Sequence, residues 1–389
     1  MPWKSATPMS LRLEFVQLAL ADKVNIRSLC RRYGVSAMTA YKWIDRFHEG
    51  GVSALEDRSR RPHTSPCRIP AQLEQAILDL RLRHPMWGGR KIRQRLITLG
   101  HRQTPSASTI TAVFRRHGLL DSSTSRPTRD LQRFEAPAPN VLWQMDFKGS
   151  FSLFVGQCYP LTVLDDHSRF SLGLFACPNQ QLETVQNHLC TIFRRYGLPQ
   201  RILADNGGPW GSCGNDGFTH LEVWLIRLGV ALSHSRVCHP QTLGKDERFH
   251  RTLKAEVLAQ RTFTDLTHCQ NDFDSWRDLY NLERPHEALQ MAVPATRYQL
   301  SVRAFPETLP AVDYNPHDII RKVDAKGVFS FRNRLFKVGK AFTGFPIALR
   351  PTLTDGYYDV FFSWKHIAQI NLNNHIAPNP TVYHVSEHL

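Results

Sequence analysis

The chain has 389 residues, which is long for one domain, so we expect two to four domains. Its formal net charge of +15 is concentrated in residues 1–135, which hold 24 Lys and Arg against 11 Asp and Glu, whereas residues 136–389 hold 25 against 23. This excess favours a polyanion such as double-stranded DNA as the partner of the first third. We expect no membrane association, because no apolar run approaches the roughly 20 residues that span a bilayer and no signal-peptide pattern opens the chain.

Eight cysteines are scattered along the chain without a Cys-x-x-Cys pair. This spacing argues against a zinc knuckle and indicates reduced thiols. Reduced thiols are typical of cytoplasmic proteins, so we predict a cytoplasmic location.

Residues 1–62 are predicted to form a helix-turn-helix domain. Gly34 is expected to end the first helix of the motif, and Ser36 is the expected N-cap of the second. The exposed start of that second helix enters the major groove in such domains. We expect DNA contacts from this helix and from the basic, proline-rich segment after it at Ser36, Thr39, Lys42, Arg46, Arg60 and Arg61. The alternative is an ordinary helical hairpin without a DNA-binding role.

Residues 63–120 are predicted to form a second helical DNA-binding domain. Apolar residues at helical spacing predict helices between residues 71 and 120, and the segment after Trp87 places four cations on one short helix. We expect Arg90 and Lys91 of that helix to contact DNA. A structural role, such as a dimer contact, is the alternative. Residues 121–139, rich in Ser, Thr, Pro and Arg, are predicted to be a linker.

Residues 140–305 are predicted to form an α/β core. Short apolar runs predict strands at residues 141–147, 159–164, 170–175, 201–204 and 230–233, and helices at about 182–196, 218–228 and 266–282. Strands alternate with helices after the third strand, which is typical of an α/β sheet. Asp146 and Asp205 each close an apolar run just before turn residues, so both carboxylates are expected at strand ends.

A turn that opens an amphipathic helix is predicted over residues 239–257. At 100° per residue, one face carries Glu247, His250, Arg251 and Lys254. Apolar residues recur at i, i+4 and i+8 on the other face, beginning at Phe249. The simple alternative is a solvated helix with an ion pair between Glu247 and Arg251.

From residue 319 the pattern changes to short apolar strands separated by glycine turns. This pattern predicts a small all-β domain, a β-barrel, over residues 315–389. The domain is only weakly basic, so both DNA contact and a role in assembly are open.

Three carboxylates on two strand ends and a nearby helix suit divalent cations. Mg²⁺ and Mn²⁺ take oxygen ligands, and two such ions can hold the attacking and leaving oxygens of a phosphodiester. Asp165 and Asp166 are rival acids that we interpret as structural, since neighbouring strand residues point in opposite directions. Asp246 is another rival, about 100° round the helix from Glu247.

The order of three motifs carries a family resemblance. Trp143-Gln-Met-Asp146, then Asp205-Asn-Gly207, then His239-Pro-Gln-Thr with Glu247-Arg-Phe-His-Arg-Thr-Leu-Lys254 resembles the integrase core of bacterial insertion-sequence transposases of the IS481 and IS3 groups, and is similar to retroviral integrases. The resemblance covers most of the chain and implies an RNase H-like core that uses two Mg²⁺ or Mn²⁺ ions. It implies that Asp146, Asp205 and Glu247 hold these ions and are the catalytic residues.

The implied activity is transposition. The protein would bind the terminal inverted repeats of its element, cleave the 3′ ends and transfer them into target DNA, as a homo-oligomer on DNA associated with the bacterial nucleoid. His250, Arg251 and Lys254 would contact DNA beside the acids. The chain departs from the family pattern at Asp246, which replaces an apolar residue, and at Leu243, where Asn is usual.

Two other functions stay open. A non-catalytic DNA-binding regulator derived from a transposase would keep the helix-turn-helix, but the intact set of three acids argues against it. A free-standing nuclease with an RNase H-like core would need neither helical DNA-binding domain.

Overall fold

A computed structural model of the chain describes residues 7–58, 69–120, 134–211, 217–234, 244–373 and 383–384. Its contacts separate the chain into two compact units, Met1–Ile69 and Pro70–Leu389. No helix in these described segments is both long enough and apolar enough to cross a lipid bilayer.

The first unit is a three-helix domain. Its elements are α1 (Pro8–Ala19), α2 (Ile26–Tyr33), α3 (Ala37–Gly50) and a 3₁₀ turn (Val52–Leu55). Gly34 ends α2 with a φ of 65°, a conformation that glycine adopts without the steric cost of a Cβ. The Ser36 side chain caps α3 by accepting a hydrogen bond from the Thr39 backbone N–H at 3.2 Å. Both features confirm the predicted helix-turn-helix.

The second unit begins with another helical region. It contains α4 (Ala71–Arg83), α5 (Gly89–Thr98) and α6 (Ala107–Arg116). A Cβ on Gly89 would lie 2.4 Å from the Ala107 carbonyl oxygen, so this glycine lets α5 and α6 approach closely. The buried apolar side chains of the three helices are Ile77, Leu80, Trp87, Ile92, Leu96, Ile110, Val113 and Phe114.

A mixed sheet follows. Its strands are β1 (Leu142–Phe147), β2 (Phe151–Ser152), β3 (Gln157–Asp165), β4 (Ser171–Cys177), β5 (Arg201–Ala204) and β6 (Ala231–His234). Their order across the sheet is β4-β3-β1-β5-β6, and β2 pairs with the start of β3. The first three long strands are antiparallel, whereas β5 runs parallel to both β1 and β6. This order confirms the RNase H-like α/β core.

Helices cover both faces of this sheet. They are α7 (Leu182–Tyr196), α8 (His220–Arg227), α9 (Gly244–Leu253), a π-helical turn (Lys254–Leu258) and α10 (Leu266–Leu282). Odd-numbered side chains of β3, such as Leu161 and Val163, pack with α7 and α8, whereas Leu164 packs with α9 and α10. This alternation is the two-residue period of a strand, and it gives the core two apolar layers.

The last region is all β. Its strands are β7 (Ile319–Lys322), β8 (Val328–Phe331), β9 (Arg334–Lys337), β10 (Pro346–Pro351), β11 (Tyr357–Phe362), β12 (Lys365–Asn371) and β13 (Tyr383–His384). They form an antiparallel sheet in the order β13-β12-β11-β10-β7 and a β8–β9 hairpin. Phe218, Val223 and Ile226, at and within α8, belong to the apolar core of this region. The Trp364 indole N–H donates a hydrogen bond to the Ile226 carbonyl oxygen at 2.8 Å, so the β region packs directly on the α/β core.

Candidate active site

Strand geometry brings Asp146 and Asp205 to neighbouring strand ends. Trp143, Met145 and Phe147 of β1 pack towards α7 and α8, so Asp146 lies on the opposite face, the face covered by α9. The parallel pairing of β1 with β5 ends with Gln144 opposite Leu203. Asp146 and Asp205 each lie two residues further along, at the carboxyl ends of adjacent strands.

The three predicted acids interact electrostatically. The pKa of Asp146 is raised to about 7. Burial is the largest cause, the negative charges of Asp205 and, to a smaller extent, Glu247 add to it, and a hydrogen bond from the Phe147 backbone opposes it. Asp146 and Asp205 are half-buried, whereas Glu247 is exposed. Within the described part of the chain, no three His, Cys, Asp or Glu side chains lie close enough together to hold a metal ion. The acids therefore share one electrostatic site without forming a closed ligand cluster.

Asp205 is held in place by a residue that the sequence did not single out. Its Oδ1 accepts a hydrogen bond from the Gly207 backbone N–H at 3.0 Å and another from the Trp210 indole N–H. Trp210 is 1% exposed, and its ring stacks on that of Phe147 with centroids 5.2 Å apart. Phe147 directly follows Asp146, so this stack connects the backbones of the two acids. The sequence does show a tryptophan five residues after Asp205, but it does not show that this tryptophan contacts Asp205 and Phe147.

The rival acids have structural environments. Asp165 accepts hydrogen bonds from the Asn140 backbone N–H at 2.8 Å and from the backbone N–H and hydroxyl of Ser168 at 2.7 and 2.6 Å. Asp166 forms an ion pair with Lys245 and accepts the Ala136 backbone N–H at 2.7 Å. Both are fully buried, which agrees with their interpretation as structural residues.

Asp246 lies inside the protein. It falls on the apolar stripe of α9 with Phe249 and Leu253, and it is 0% exposed. Burial raises its pKa well above the ordinary range, and the charges of Asp146 and Asp166 add to the effect. Among the described residues, neither carboxyl oxygen has a hydrogen-bond partner. Its position on the apolar stripe turns Asp246 away from the exposed face that carries Glu247.

The cations predicted on α9 differ in their surroundings. Arg251 is exposed, and Lys254 is exposed at the start of the π-helical turn. His250 is turned inward: its side chain is 12% exposed and its Nδ1 lies 3.8 Å from Asp146 Oδ2. Burial, aided by the charge of Lys148, lowers the pKa of His250 to about 4.

Lys148 is a cation near the acids that the sequence reasoning missed. It follows Asp146 by two residues, and burial together with the charge of Lys254 lowers its pKa. The ammonium groups of Lys148 and Lys254, from different elements, therefore lie near each other. The signal was its spacing of two from Asp146, which puts both side chains on one face of an extended chain.

In the first unit, two of the predicted DNA-contacting side chains lie over the ring of Trp43. Lys42 Nζ and the Arg46 guanidinium lie 5.4 and 4.8 Å from the ring centroid. Ser36 and Thr39 form the N-terminal cap of α3, with their hydroxyl oxygens 2.9 Å apart. Two side chains outside the prediction, Met38 and Tyr41, are 83% and 54% exposed on the same helix. Arg60 and Arg61 lie outside the described residues.

The two cations predicted to contact DNA from α5 lie near charged residues of the segment that follows α10. Arg90 forms an ion pair with Glu287 at 2.5 Å. Burial, with a smaller contribution from the charge of Arg284, lowers the pKa of Lys91 to about 8. Arg95 of the same helix pairs with Glu283 at 2.5 Å. Thus α5 docks on the segment that follows α10, in a contact that the local sequence could not reveal.

Family models match most of the chain. A helix-turn-helix domain matches residues 11–63, a homeodomain-like domain matches 39–114, and two integrase core domain models match 136–240 and 228–294. The IS481 family transposase C-terminal domain matches residues 318–378, the all-β region.

Named relatives agree with these models. The chain is 27% identical over 158 residues to an IS407 insertion element protein of 31.7 kDa from Burkholderia multivorans, covering 41% of this chain and 55% of that protein. It is 23% identical over 321 residues to the transposase for transposon Tn552 of Staphylococcus aureus, covering 72% and 64%. An IS476 insertion element protein of 39.2 kDa from Xanthomonas euvesicatoria is 26% identical over 195 residues, covering 49% and 53%. The chain spans about half to two thirds of the lengths of these relatives. With an integrase core between helix-turn-helix regions and an IS481-type C-terminal domain, the chain belongs to the insertion-sequence transposases of the IS481/IS3 type.

Proposed function

We propose that the protein is a DNA transposase that binds the terminal inverted repeats of its insertion sequence and catalyses metal-dependent 3′-end cleavage and strand transfer. The observation that carries the proposal is the pairing of Asp146 and Asp205 at neighbouring strand ends, with Glu247 close enough to act on the pKa of Asp146. The integrase core matches and the Tn552 transposase support it.

Asp146, Asp205 and Glu247 are the residues that would hold two Mg²⁺ or Mn²⁺ ions. Their donor atoms are all carboxylate oxygens, the ligands that these ions prefer, and the mutual repulsion felt at Asp146 is what a bound cation would relieve. When bound, the ions supply charge neutralisation at the attacking and leaving oxygens of a phosphodiester.

The reaction consists of two in-line displacements at phosphorus. Water attacks at the end of the element and frees a 3′ hydroxyl, which then displaces a 3′ oxygen of the target DNA. In this proposal Trp210 orients Asp205, and Lys148, Arg251 and Lys254 bind phosphates beside the acids. No side chain acts as a covalent nucleophile.

DNA recognition is assigned to the amino-terminal helices. The exposed face of α3, with Ser36, Lys42 and Arg46 at its edges, is suited to a major groove. Two ends must be joined to one target, so the protein is proposed to act as a homo-oligomer on DNA, at the nucleoid in the bacterial cytoplasm.

The test uses full-length protein, Mg²⁺ and DNA that carries the element's own ends, with nicks mapped to the nucleotide. Asp146→Asn, Asp205→Asn and Glu247→Gln should each abolish cleavage and strand transfer while end binding stays near wild type. Asp246→Asn is the matched control, because an amide has nearly the shape of a carboxyl and this buried position lies away from the exposed face of Glu247. If Asp205→Asn cleaved the ends as fast as the wild type, Asp205 would not be a catalytic residue.

A second candidate is the non-catalytic DNA-binding regulator, because the helix-turn-helix of the first unit would serve it equally well. A regulator would bind the ends yet leave them intact in both Mg²⁺ and Mn²⁺. The same assay separates the two functions, since only a transposase produces a nick at the element's 3′ end. Short inverted repeats flanking the coding region would also favour the transposase.

A further inference from the structure

A buried threonine hydroxyl lies between the strand of Asp146 and the helix of Glu247. Thr162 is opposite Asp146 in the antiparallel pairing of β1 with β3, and it is 0% exposed. Its Oγ1 donates a hydrogen bond to the Asp146 carbonyl oxygen at 3.0 Å and lies 2.8 Å from His250 Nε2. One hydroxyl thus contacts β1 and α9 together.

The hydrogen count fixes the direction of the second bond. A hydroxyl has one hydrogen, and a carbonyl oxygen can only accept, so the Thr162 hydrogen is directed at Asp146. The Thr162 oxygen must then accept from His250, which requires an N–H at Nε2 whether the ring is neutral or charged. The opposite arrangement would have Thr162 donate to Nε2 and leave Nδ1 to bond Asp146 Oδ2, but that separation of 3.8 Å is too long for a hydrogen bond.

His250 and Glu247 belong to the same helix, so the bond between His250 and Thr162 also constrains the position of Glu247. His250 lies three residues after Glu247, so both side chains project from one side of α9. The apolar side of α9 packs within a cluster that contains Leu164 and Leu174 of β3 and β4. The Thr162–His250 bond adds a polar connection to β1 itself. Lys245 separately anchors the first turn of α9 on Asp166, so loss of the threonine hydroxyl should shift the helix without detaching it.

We propose that Thr162 and His250 are positioning residues that hold the helix of Glu247 at a set distance from the strand of Asp146, and so set the affinity of the site for divalent ions. The proposal rests on the metal-dependent function proposed above. It gives His250 a role inside the protein, in place of the DNA contact that its position on the polar face of α9 suggested.

The test compares four single variants of the full-length protein. Thr162→Val keeps the shape of the side chain and removes the hydroxyl, whereas Thr162→Ser keeps the hydroxyl. His250→Leu removes the donor, whereas His250→Gln places an amide N–H near the position of Nε2. The dissociation constant for Mn²⁺ is measured by calorimetry in the absence of DNA, and unfolding in EDTA gives the stability of each variant.

Thr162→Val and His250→Leu should each weaken Mn²⁺ binding roughly tenfold or more, the usual cost of losing a partner that orients a ligand. Thr162→Ser and His250→Gln keep a hydrogen-bonding group, so their dissociation constants for Mn²⁺ should stay within about threefold of the wild-type value. The double variant Thr162→Val/His250→Leu should bind no more weakly than either single variant, because both remove the same bond. In strand transfer, the Mg²⁺ concentration for half-maximal rate should rise while the rate at saturating Mg²⁺ recovers.

The outcomes separate this proposal from the proposed function. If the wild type binds Mn²⁺ and Thr162→Val and His250→Leu bind it equally well, the positioning role is overturned and the metal-dependent function stands. If the wild type binds no divalent ion with or without DNA ends, the metal-dependent function falls and the positioning role falls with it. Should Thr162→Val fail to fold, the His250→Leu and His250→Gln pair decides the matter. A loss of stability in EDTA with unchanged Mn²⁺ affinity would mark a purely structural bond.

Discussion

At the scale of single residues, Asp146 shows the free-energy cost of bringing carboxylates together in a partly buried site. Asp146 is half-buried and lies near two other carboxylates, so its ionised form is unfavourable in the metal-free protein. Thr162 nevertheless donates a hydrogen bond to the Asp146 backbone carbonyl, and Trp210 stacks on Phe147, the next residue along the chain. Such a site destabilises the empty fold, and a ligand of opposite charge recovers that free energy.

Replacement of Asp146 should therefore stabilise the metal-free protein. The pKa of Asp146 is raised to about 7 in the fold from about 4 in the unfolded chain, so its contribution is fully favourable below pH 4 and is lost as pH rises through 7. An Asn cannot ionise. In EDTA at pH 8, Asp146→Asn should raise the free energy of unfolding by on the order of 2 kcal/mol, allowing for partial exposure, and by little at pH 4.

Denaturant unfolding at the two pH values measures this difference. Asp278→Asn, at an exposed position on α10, is the control and should change little at either pH. At pH 8, added Mn²⁺ should raise the melting temperature of the wild type and leave that of Asp146→Asn unchanged. A variant less stable than wild type in EDTA at pH 8 would contradict the description of this site.

At the scale of elements, α8 is unusual because six of its eight residues are buried. Leu221, Trp224 and Leu225 pack against the sheet, and Val223 and Ile226 pack against the all-β region. Glu222 lies among these apolar side chains and is only 8% exposed. Its pKa is raised to about 7, because the effect of burial exceeds the opposing effect of the Lys365 charge from β12.

Glu222 should make the contact between α8 and the β region sensitive to pH. Its pKa is raised in the fold, so the stability it contributes is fully present below about pH 4.5 and is lost as pH rises through about 7. Glu222→Gln should be more stable than wild type at pH 8, by on the order of 2 kcal/mol, and nearly equal to it at pH 4.5. Chemical denaturation at both pH values tests this, with exposed Glu183→Gln as the control. Equal stability of Glu222→Gln and wild type at pH 8 would contradict it.

Elements with strong local signals could be predicted from the sequence. The bounds of α7, β5 and α10 agree with the predicted ranges, because long apolar periodicity or a short apolar run between turns leaves little freedom. The two-residue strand β2 and the weakly apolar β12 were missed, since their pairing depends on distant strands.

The site was predictable in part for the same reason. Asp146 and Asp205 followed from strand ends, which are local features. The stack of Trp210 on Phe147, the approach of Lys148 to Lys254 and the docking of Lys91 are tertiary contacts that no spacing encodes. The inward turn of His250 was hidden because a helical wheel gives the direction of a side chain without its partner.

At the scale of the whole molecule, charge and chemistry occupy different parts of the chain. Residues 1–69 carry 12 Lys and Arg against 6 Asp and Glu, and they form a compact unit with its own apolar core. The acids of the candidate site all lie in the second unit. This separation suits a protein that finds DNA with one unit and cuts it with another.

Residues 1–69 expressed alone should bind the element's end in a strongly salt-dependent way. If about four phosphates are neutralised, affinity should fall roughly 100-fold between 50 and 200 mM salt, because condensed counterions are released. Lys42→Ala and Arg46→Ala should each reduce the slope against salt by about one if each contacts a phosphate. Fluorescence anisotropy across a salt series measures this. If residues 136–305 alone bound the element's end as tightly as residues 1–69, the amino-terminal unit would not be the part that recognises the end.

The burial of α8 between two apolar layers also bears on damaged copies of the gene. A frameshift after the RNase H-like core would remove the β region and uncover Phe218, Val223 and Ile226 together. A contiguous apolar patch of that kind promotes aggregation. Such truncated products should precipitate, so they would not persist as soluble competitors that occupy the element's ends and silence intact copies.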